Sequence, residues 1–119
     1  MDMILGTGID IIEVERVKRI AEKSPRFLEK IFTSGEIDYC RKKKNKYQHL
    51  AARFAAKEAF FKAIGRRINW SDVELFNLSS GKPELKIVNK ERFRIEKAHV
   101  SISHLKDYAV AAVILEGEK

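Results

Sequence analysis

Apolar positions crowd the start of the chain, at Met3, Ile4, Leu5, Ile9, Ile11 and Ile12, with Gly6 and Gly8 set among them. An isoleucine-rich run bounded by charge predicts a strand over residues 3–12. From 13 to 23 the period lengthens to that of a helix, with Val17, Ile20 and Ala21 as the apolar stripe. Pro25 breaks this pattern, and Phe27, Leu28, Ile31 and Phe32 form a second short apolar element. Thr33 and Glu36 have capping-box spacing ahead of Ile37 and Cys40, which predicts a third short helix ending near Arg41. Leu50, Ala51 and Phe54 begin the longest helical run. It continues through Ala55, Ala56, Lys57, Glu58 and Ala59 without a proline and stops at Gly65, a residue suited to the position just past a helix end. The period then drops to two. Residues 70–78 and 84–88 alternate as two strands around the turn cluster Ser79-Ser80-Gly81-Lys82-Pro83, which predicts an antiparallel pair. A charged connection follows over 89–97, with about one helical turn around Phe93. Residues 99–104 alternate strictly, 105–108 can turn, and 109–115 read as a buried return strand.

Composition narrows the class. The chain has 119 residues, enough for one domain spanning 1–119, and 45% hydrophobic residues argue against disorder. Its formal net charge of +7 should attract an anion: nucleic acid, an acidic protein or a phosphorylated small molecule. Cys40 is the single cysteine and excludes an internal disulfide; no secretory signal is legible, because Asp2 and Asp10 interrupt the N-terminal apolar run. Both features fit a cytoplasmic protein. No run approaches the roughly 20 apolar residues of a membrane span. The densest charge run, Arg41-Lys42-Lys43-Lys44-Asn45-Lys46, reads as a solvated loop, a nucleic-acid patch or a phosphate clamp; with no aromatic among its cations, the nucleic-acid signal is weak.

Three residues are out of place. Asp10 stands among isoleucines and by strand alternation shares a face with Gly6 and Gly8. Glycines inside a strand often mark close approach of a ligand or another backbone. Asp10 is therefore either paired or metal-bound, or it caps the helix that follows. Glu58 has Phe54, Ala55, Phe61 and Lys62 at helical spacing, so it faces something cationic or makes an ordinary i, i+4 pair with Lys62. His104 stands at the rim of a small polar face with Ser101 and Ser103, as a site residue or as a satisfied turn histidine. Arg16, Arg19 and Lys23, extended by Arg26, make a basic stripe that is either a solvated face or a dock for an acidic partner.

Taken in order, Gly8-Ile9-Asp10 with Arg16, Arg53-Phe54-Ala55-Ala56-Lys57-Glu58-Ala59 with Lys62, and Ser101-Ile102-Ser103-His104 before an alanine-rich strand resemble the holo-acyl-carrier-protein synthases. These are the short 4'-phosphopantetheinyl transferases. Phe32-Thr33 with Glu36, residues 70–74 and Gly81-Lys82-Pro83 extend the resemblance over nearly the whole chain; residues 89–97 match loosely. The resemblance implies an α+β fold with the long helix packed on small antiparallel sheets. It implies transfer of the phosphopantetheine arm of coenzyme A to a serine of acyl carrier protein, in support of fatty acid biosynthesis, with Mg²⁺ and a homotrimer holding coenzyme A between subunits. Asp10 and Glu58 are then the metal carboxylates. Lys62, one turn beyond Glu58, reaches a phosphate, and Glu58 is the candidate proton acceptor. Arg53, His104, Ser103 and Lys44 of the basic loop bind the nucleotide phosphates, and the Arg16–Arg26 stripe receives the carrier. A basic nucleic-acid or phosphate-binding module is the alternative; it explains the charge and leaves Asp10 and Glu58 without a role.

Overall fold

The computed structural model describes residues 2–118. Its elements run β1 (Met3–Glu13), α1 (Val14–Lys23), α2 (Pro25–Ile31), α3 (Ser34–Arg41), α4 (Lys46–Ile64), β2 (Val73–Asn77), β3 (Pro83–Ile87), β4 (Ile95–His104) and β5 (Tyr108–Gly117), with 3-10 turns at Trp70–Asp72 and Lys90–Phe93. The fold is α+β: four helices and two antiparallel sheets, one ordered β1-β5-β4 and one pairing β2 with β3. No helix among the described residues is long and apolar enough to cross a membrane.

β5 takes the central place because it is apolar on both faces. Ala109, Ala111, Val113 and Leu115 are buried toward α4, while Val110, Ala112 and Ile114 line the opposite face. α4 lies across the inner face, and its alanines Ala51, Ala52, Ala55, Ala56 and Ala59 are fully buried. Small side chains let the helix backbone settle onto the strand. A Cβ placed on Gly8 would stand 1.9 Å from the Ala59 carbonyl oxygen, and one on Gly6 the same 1.9 Å from that of Ala63. The two glycines of β1 are thus required by the approach of a helix. Gly65 ends α4 in the left-handed conformation at φ 75°, its N–H donating to the Phe61 carbonyl.

Three boundaries differ from the sequence expectation by three residues or more, one of them at β4, which starts at Ile95 instead of His99 and so takes in the end of the charged connection. α4 starts at Lys46 instead of Leu50, so the basic run that reads as one loop contributes its last residue to the helix. Strand β2 begins at Val73 instead of Trp70. The Trp70 ring is held between Phe54 and Phe61, at centroid distances of 5.3 and 5.1 Å, and a 3-10 turn presents it there.

That turn is pinned from below by Lys57, a wholly buried residue. Its ammonium donates to the carbonyls of Trp70 (2.9 Å) and Val73 (2.8 Å) and pairs with Glu36 at 2.8 Å. Glu36 in turn accepts from the backbone N–H groups of Thr33 and Leu75, each at 2.9 Å, and Thr33 Oγ1 donates to Glu74. The capping box legible in Thr33 and Glu36 is formed, and the same glutamate also anchors β2 and neutralises a buried lysine. Burial pulls the Lys57 pKa below its ordinary value, and Glu36 opposes the shift.

Candidate active site

The carboxylates Asp10 and Glu58 face one another across the seam between β1 and α4. Strand alternation turns Asp10 to the side of Gly6 and Gly8, the side that carries the helix. It does not cap α1, whose N-cap is Glu13, three residues on. Lys62 reaches over from α4, its ammonium donating to the Ile9 carbonyl at 2.9 Å and to Asp10 Oδ1 at 3.2 Å. Burial raises the Asp10 pKa above its ordinary value and the nearby charge of Glu58 adds to the rise, while Lys62 and Arg16 oppose it. Two carboxylates therefore sit close enough to repel, with Arg16 of α1 close enough for its charge to be felt.

Glu58 makes no i, i+4 pair with Lys62. Both its oxygens are taken by Arg67, Nη1 to Oε1 and Nη2 to Oε2, each at 2.9 Å. The chain reversal at Gly65 is what sends Arg67 back along the helix to a residue nine positions earlier. Among the described residues no group of three or more histidines, cysteines or carboxylates gathers as a metal cage. The donor set is two largely buried carboxylates, each held by an exposed cationic side chain. It suits Mg²⁺, which characteristically takes one or two protein carboxylates and fills its other positions with substrate phosphate and water.

A second cluster lies elsewhere. Arg53, His49, Tyr39, Asn77, Ser103 and His104 are among the residues around a cavity of about 340 Å³. Arg53 is only 1% exposed, yet it has no carboxylate partner among the described residues. It donates one bond to Asn77 Oδ1 at 2.6 Å, its guanidinium lies 4.2 Å from the Tyr39 ring centroid, and its buried Nε has no acceptor. A buried guanidinium with an unused donor beside a cavity is a seat for an anion. His104 shares a 3.0 Å hydrogen bond with Gln48, and its ring meets His49 edge-on at 5.0 Å. Burial, then the charges of His104, Arg53 and Lys43, hold the His49 pKa below its usual value. Ser103 lies exposed on the cavity wall. Lys44 is exposed in the turn between α3 and α4; the lysine that leans on the cavity's Tyr39 is Lys43, at 4.7 Å.

The sequence-derived site residues thus fall into two groups. Asp10, Glu58 and Lys62 converge; Arg53, His104 and Ser103 converge; the groups do not meet within one chain. Asp10 is on β1 and His104 on β4, the two edges of a sheet with β5 between, which separates the strands by roughly 10 Å. Arg53 and Glu58, five residues apart on one helix, point about 140° away from each other. Sequence reasoning missed Arg67 and His49. His49 stands four residues before Arg53 on the same helix face, a signal readable once the helix is known to start at Lys46. For Arg67 the sequence offers only a charge beyond Gly65.

The 4'-phosphopantetheinyl transferase superfamily matches residues 6–113. A holo-[acyl-carrier-protein] synthase of Thermodesulfovibrio yellowstonii is 47% identical, covering 95% of this chain and 99% of that one. One from Halalkalibacterium halodurans is 46% identical, covering 96% and 97%. The crystal structure of a holo-(acyl-carrier-protein) synthase from Bacillus anthracis in complex with CoA (3',5'-ADP) aligns with a TM-score of 0.84 at 38% identity, over 98% of this chain and 99% of that one. The Neisseria meningitidis enzyme aligns with a TM-score of 0.87 at 31% identity, over 98% and 100%. By sequence along almost its full length and by fold, this chain belongs to the 4'-phosphopantetheinyl transferase superfamily.

Proposed function

We propose that the protein is a holo-[acyl-carrier-protein] synthase: it moves the 4'-phosphopantetheine arm of coenzyme A to a serine of apo acyl carrier protein and releases adenosine 3',5'-bisphosphate. The observation that carries this reading is the pairing of largely buried Asp10 and Glu58 beside Lys62, a charge arrangement made for a diphosphate, in a chain whose relatives carry that name. Asp10 and Glu58 would hold Mg²⁺, which when bound neutralises negative charge on the diphosphate. Lys62 turns from Asp10 to a phosphate oxygen. Arg53, with its unused Nε, receives a phosphate of the nucleotide end, alongside His104, Ser103 and the basic turn that includes Lys44. Glu58 is the group assigned to take the serine proton as the serine oxygen bonds to phosphorus and the bridging oxygen leaves with the bisphosphate. Mass spectrometry of an apo carrier protein incubated with this protein, coenzyme A and Mg²⁺ tests the reading directly; no gain of the phosphopantetheine mass would sink it.

The separation of the two clusters bears on assembly. A single coenzyme A that touches both is served best by the carboxylate pair of one subunit and the Arg53 cavity of its neighbour. The outer face of the β1-β5-β4 sheet supplies a surface for such contact: Ile9 and Ile11 are 65% and 66% exposed, beside Val110 and Ile114. Apolar patches of this kind mark interaction sites. The assembly proposed is a homotrimer with sites between subunits. Light scattering should give three times the 13.7 kDa chain mass, and a fully active monomer would contradict it.

The carrier partner is acidic in this reading, and the basic stripe fits it. Arg16, Arg19, Lys23 and Arg26 are all exposed on α1 and the start of α2, and the charge of Arg16 is already felt at Asp10. Exposed pairs contribute roughly 0.2–1 kcal/mol each, so the stripe acts as a group. Arg16→Glu with Arg19→Glu should raise the KM for the carrier protein about tenfold and change that for coenzyme A little. Equal damage to both constants would remove this face as the dock.

A further inference from the structure

We infer that Arg67 is a displaceable counterion of Glu58 that makes divalent-cation binding at the Asp10–Glu58 pair conditional on arrival of the diphosphate substrate. The inference rests on the proposed transferase reading and adds a residue to it. In the resting protein Arg67 occupies both oxygens of Glu58 at 2.9 Å. A planar guanidinium matches a carboxylate in this two-point manner and matches a phosphate equally well. Glu58 is nearly enclosed, but the Arg67 side chain is 65% exposed, so leaving the carboxylate requires no rearrangement of the core. The residue lies outside any helix or strand, just past the Gly65 reversal, and its guanidinium rests 5.4 Å from the Phe61 and 5.7 Å from the Trp70 ring centroids. Those rings give it a platform near the site when it is off Glu58.

The consequence is a competition. A divalent cation arriving alone meets a carboxylate already neutralised and must evict Arg67 into water, losing a two-bond ion pair. A diphosphate arriving with the cation offers Arg67 an equivalent partner, so the eviction becomes an exchange. Lys62 on Asp10 is placed to make the same exchange on the other carboxylate. Metal and coenzyme A then favour one another, and linkage requires the effect to be reciprocal.

The test is a Mn²⁺ titration of the whole protein, read by the electron paramagnetic resonance of free Mn²⁺, with and without coenzyme A. In the unaltered protein coenzyme A should tighten Mn²⁺ binding about tenfold or more, inside the usual range of coupled sites. Arg67→Gln should bind Mn²⁺ alone about 3–10-fold more tightly, and the enhancement by coenzyme A should shrink to about threefold or less. Arg67→Lys, which keeps the charge and loses the fork, should fall between and guards against a folding defect in the glutamine variant. Unchanged Mn²⁺ affinity and unchanged enhancement in both variants would overturn the assignment. Weaker Mn²⁺ binding in Arg67→Gln would overturn it too, since Arg67 would then be positioning Glu58 for the metal. If the unaltered protein binds Mn²⁺ no better with coenzyme A than without, the inference falls, and the mass test of carrier modification decides the transferase reading separately.

Discussion

Asp10→Asn is expected to lower transfer from coenzyme A by on the order of 10²–10³-fold, the scale of removing one preorganised electrostatic partner, while the melting temperature stays level or rises. The two halves of the expectation come from one fact. Asp10 lies in a partly dehydrated seam beside a second carboxylate, and burial with Glu58 raises its pKa against the pull of Lys62 and Arg16. The folded chain therefore holds the Asp10 proton more tightly than the unfolded chain does. Stability is favoured while the proton is on, and falls as pH climbs through the window from the ordinary value of 3.8 to the raised one. Above that window the charged carboxylate weighs against the fold, and asparagine removes the charge. Glu58→Gln should cost similar activity, with the separate loss of the exposed Arg67 pair. Steady-state rates at limiting Mg²⁺ and a thermal melt of each variant check both halves. Full activity in either variant would remove that carboxylate from the site. An Asp10→Asn protein that melts much earlier would make Asp10 a structural residue.

Lys57→Met is expected to do the reverse: a loss of about 3–5 kcal/mol in stability, the scale of breaking a buried pair by removing one partner. Lys57 and Glu36 are both without solvent contact, and the ammonium also serves the Trp70 and Val73 carbonyls. Methionine keeps the volume and leaves Glu36 charged and two carbonyls without their donor. For a chain of this size the melting temperature should drop by about 10–20 °C. Adding Glu36→Gln to Lys57→Met should recover part of the loss, since the stranded charge is gone. Denaturant unfolding of the two single variants and the double gives the coupling. A Lys57→Met protein within about 1 kcal/mol of the parent would show that the pair does not hold α3, α4 and β2 together.

These two predictions divide a motif that looks uniform in sequence. Lys57 and Glu58 are adjacent, and nothing in composition separates them. The helix sends one to the core under Trp70 and the other to the seam with β1. The same geometry explains what was missed. Arg67 reaches Glu58 only because Gly65 reverses the chain. The burial of Arg53 against Tyr39 and Asn77 is likewise set by packing and not by its position in the motif.

Much was nevertheless legible in the chain itself. Periodicity located α1, α3, α4, an apolar element at α2 and the five strands among the described residues, because most of these elements are amphipathic or bounded by Pro25, Gly65 or the Ser79–Pro83 turn. Asp10 and Glu58 stood out because a carboxylate among isoleucines, phenylalanines and alanines needs a partner. Tertiary structure decided who the partners are, that Gly6 and Gly8 yield to the carbonyls of α4, and that the anion cavity and the carboxylate pair lie at opposite edges of one sheet. The reason is physical. Periodicity reports which face of an element is apolar, a property of neighbours along the chain. Ion pairs, orphaned donors and the spacing of two sites depend on residues brought together from Ile9 to Lys62 and from Gln48 to His104, and only packing sets those distances.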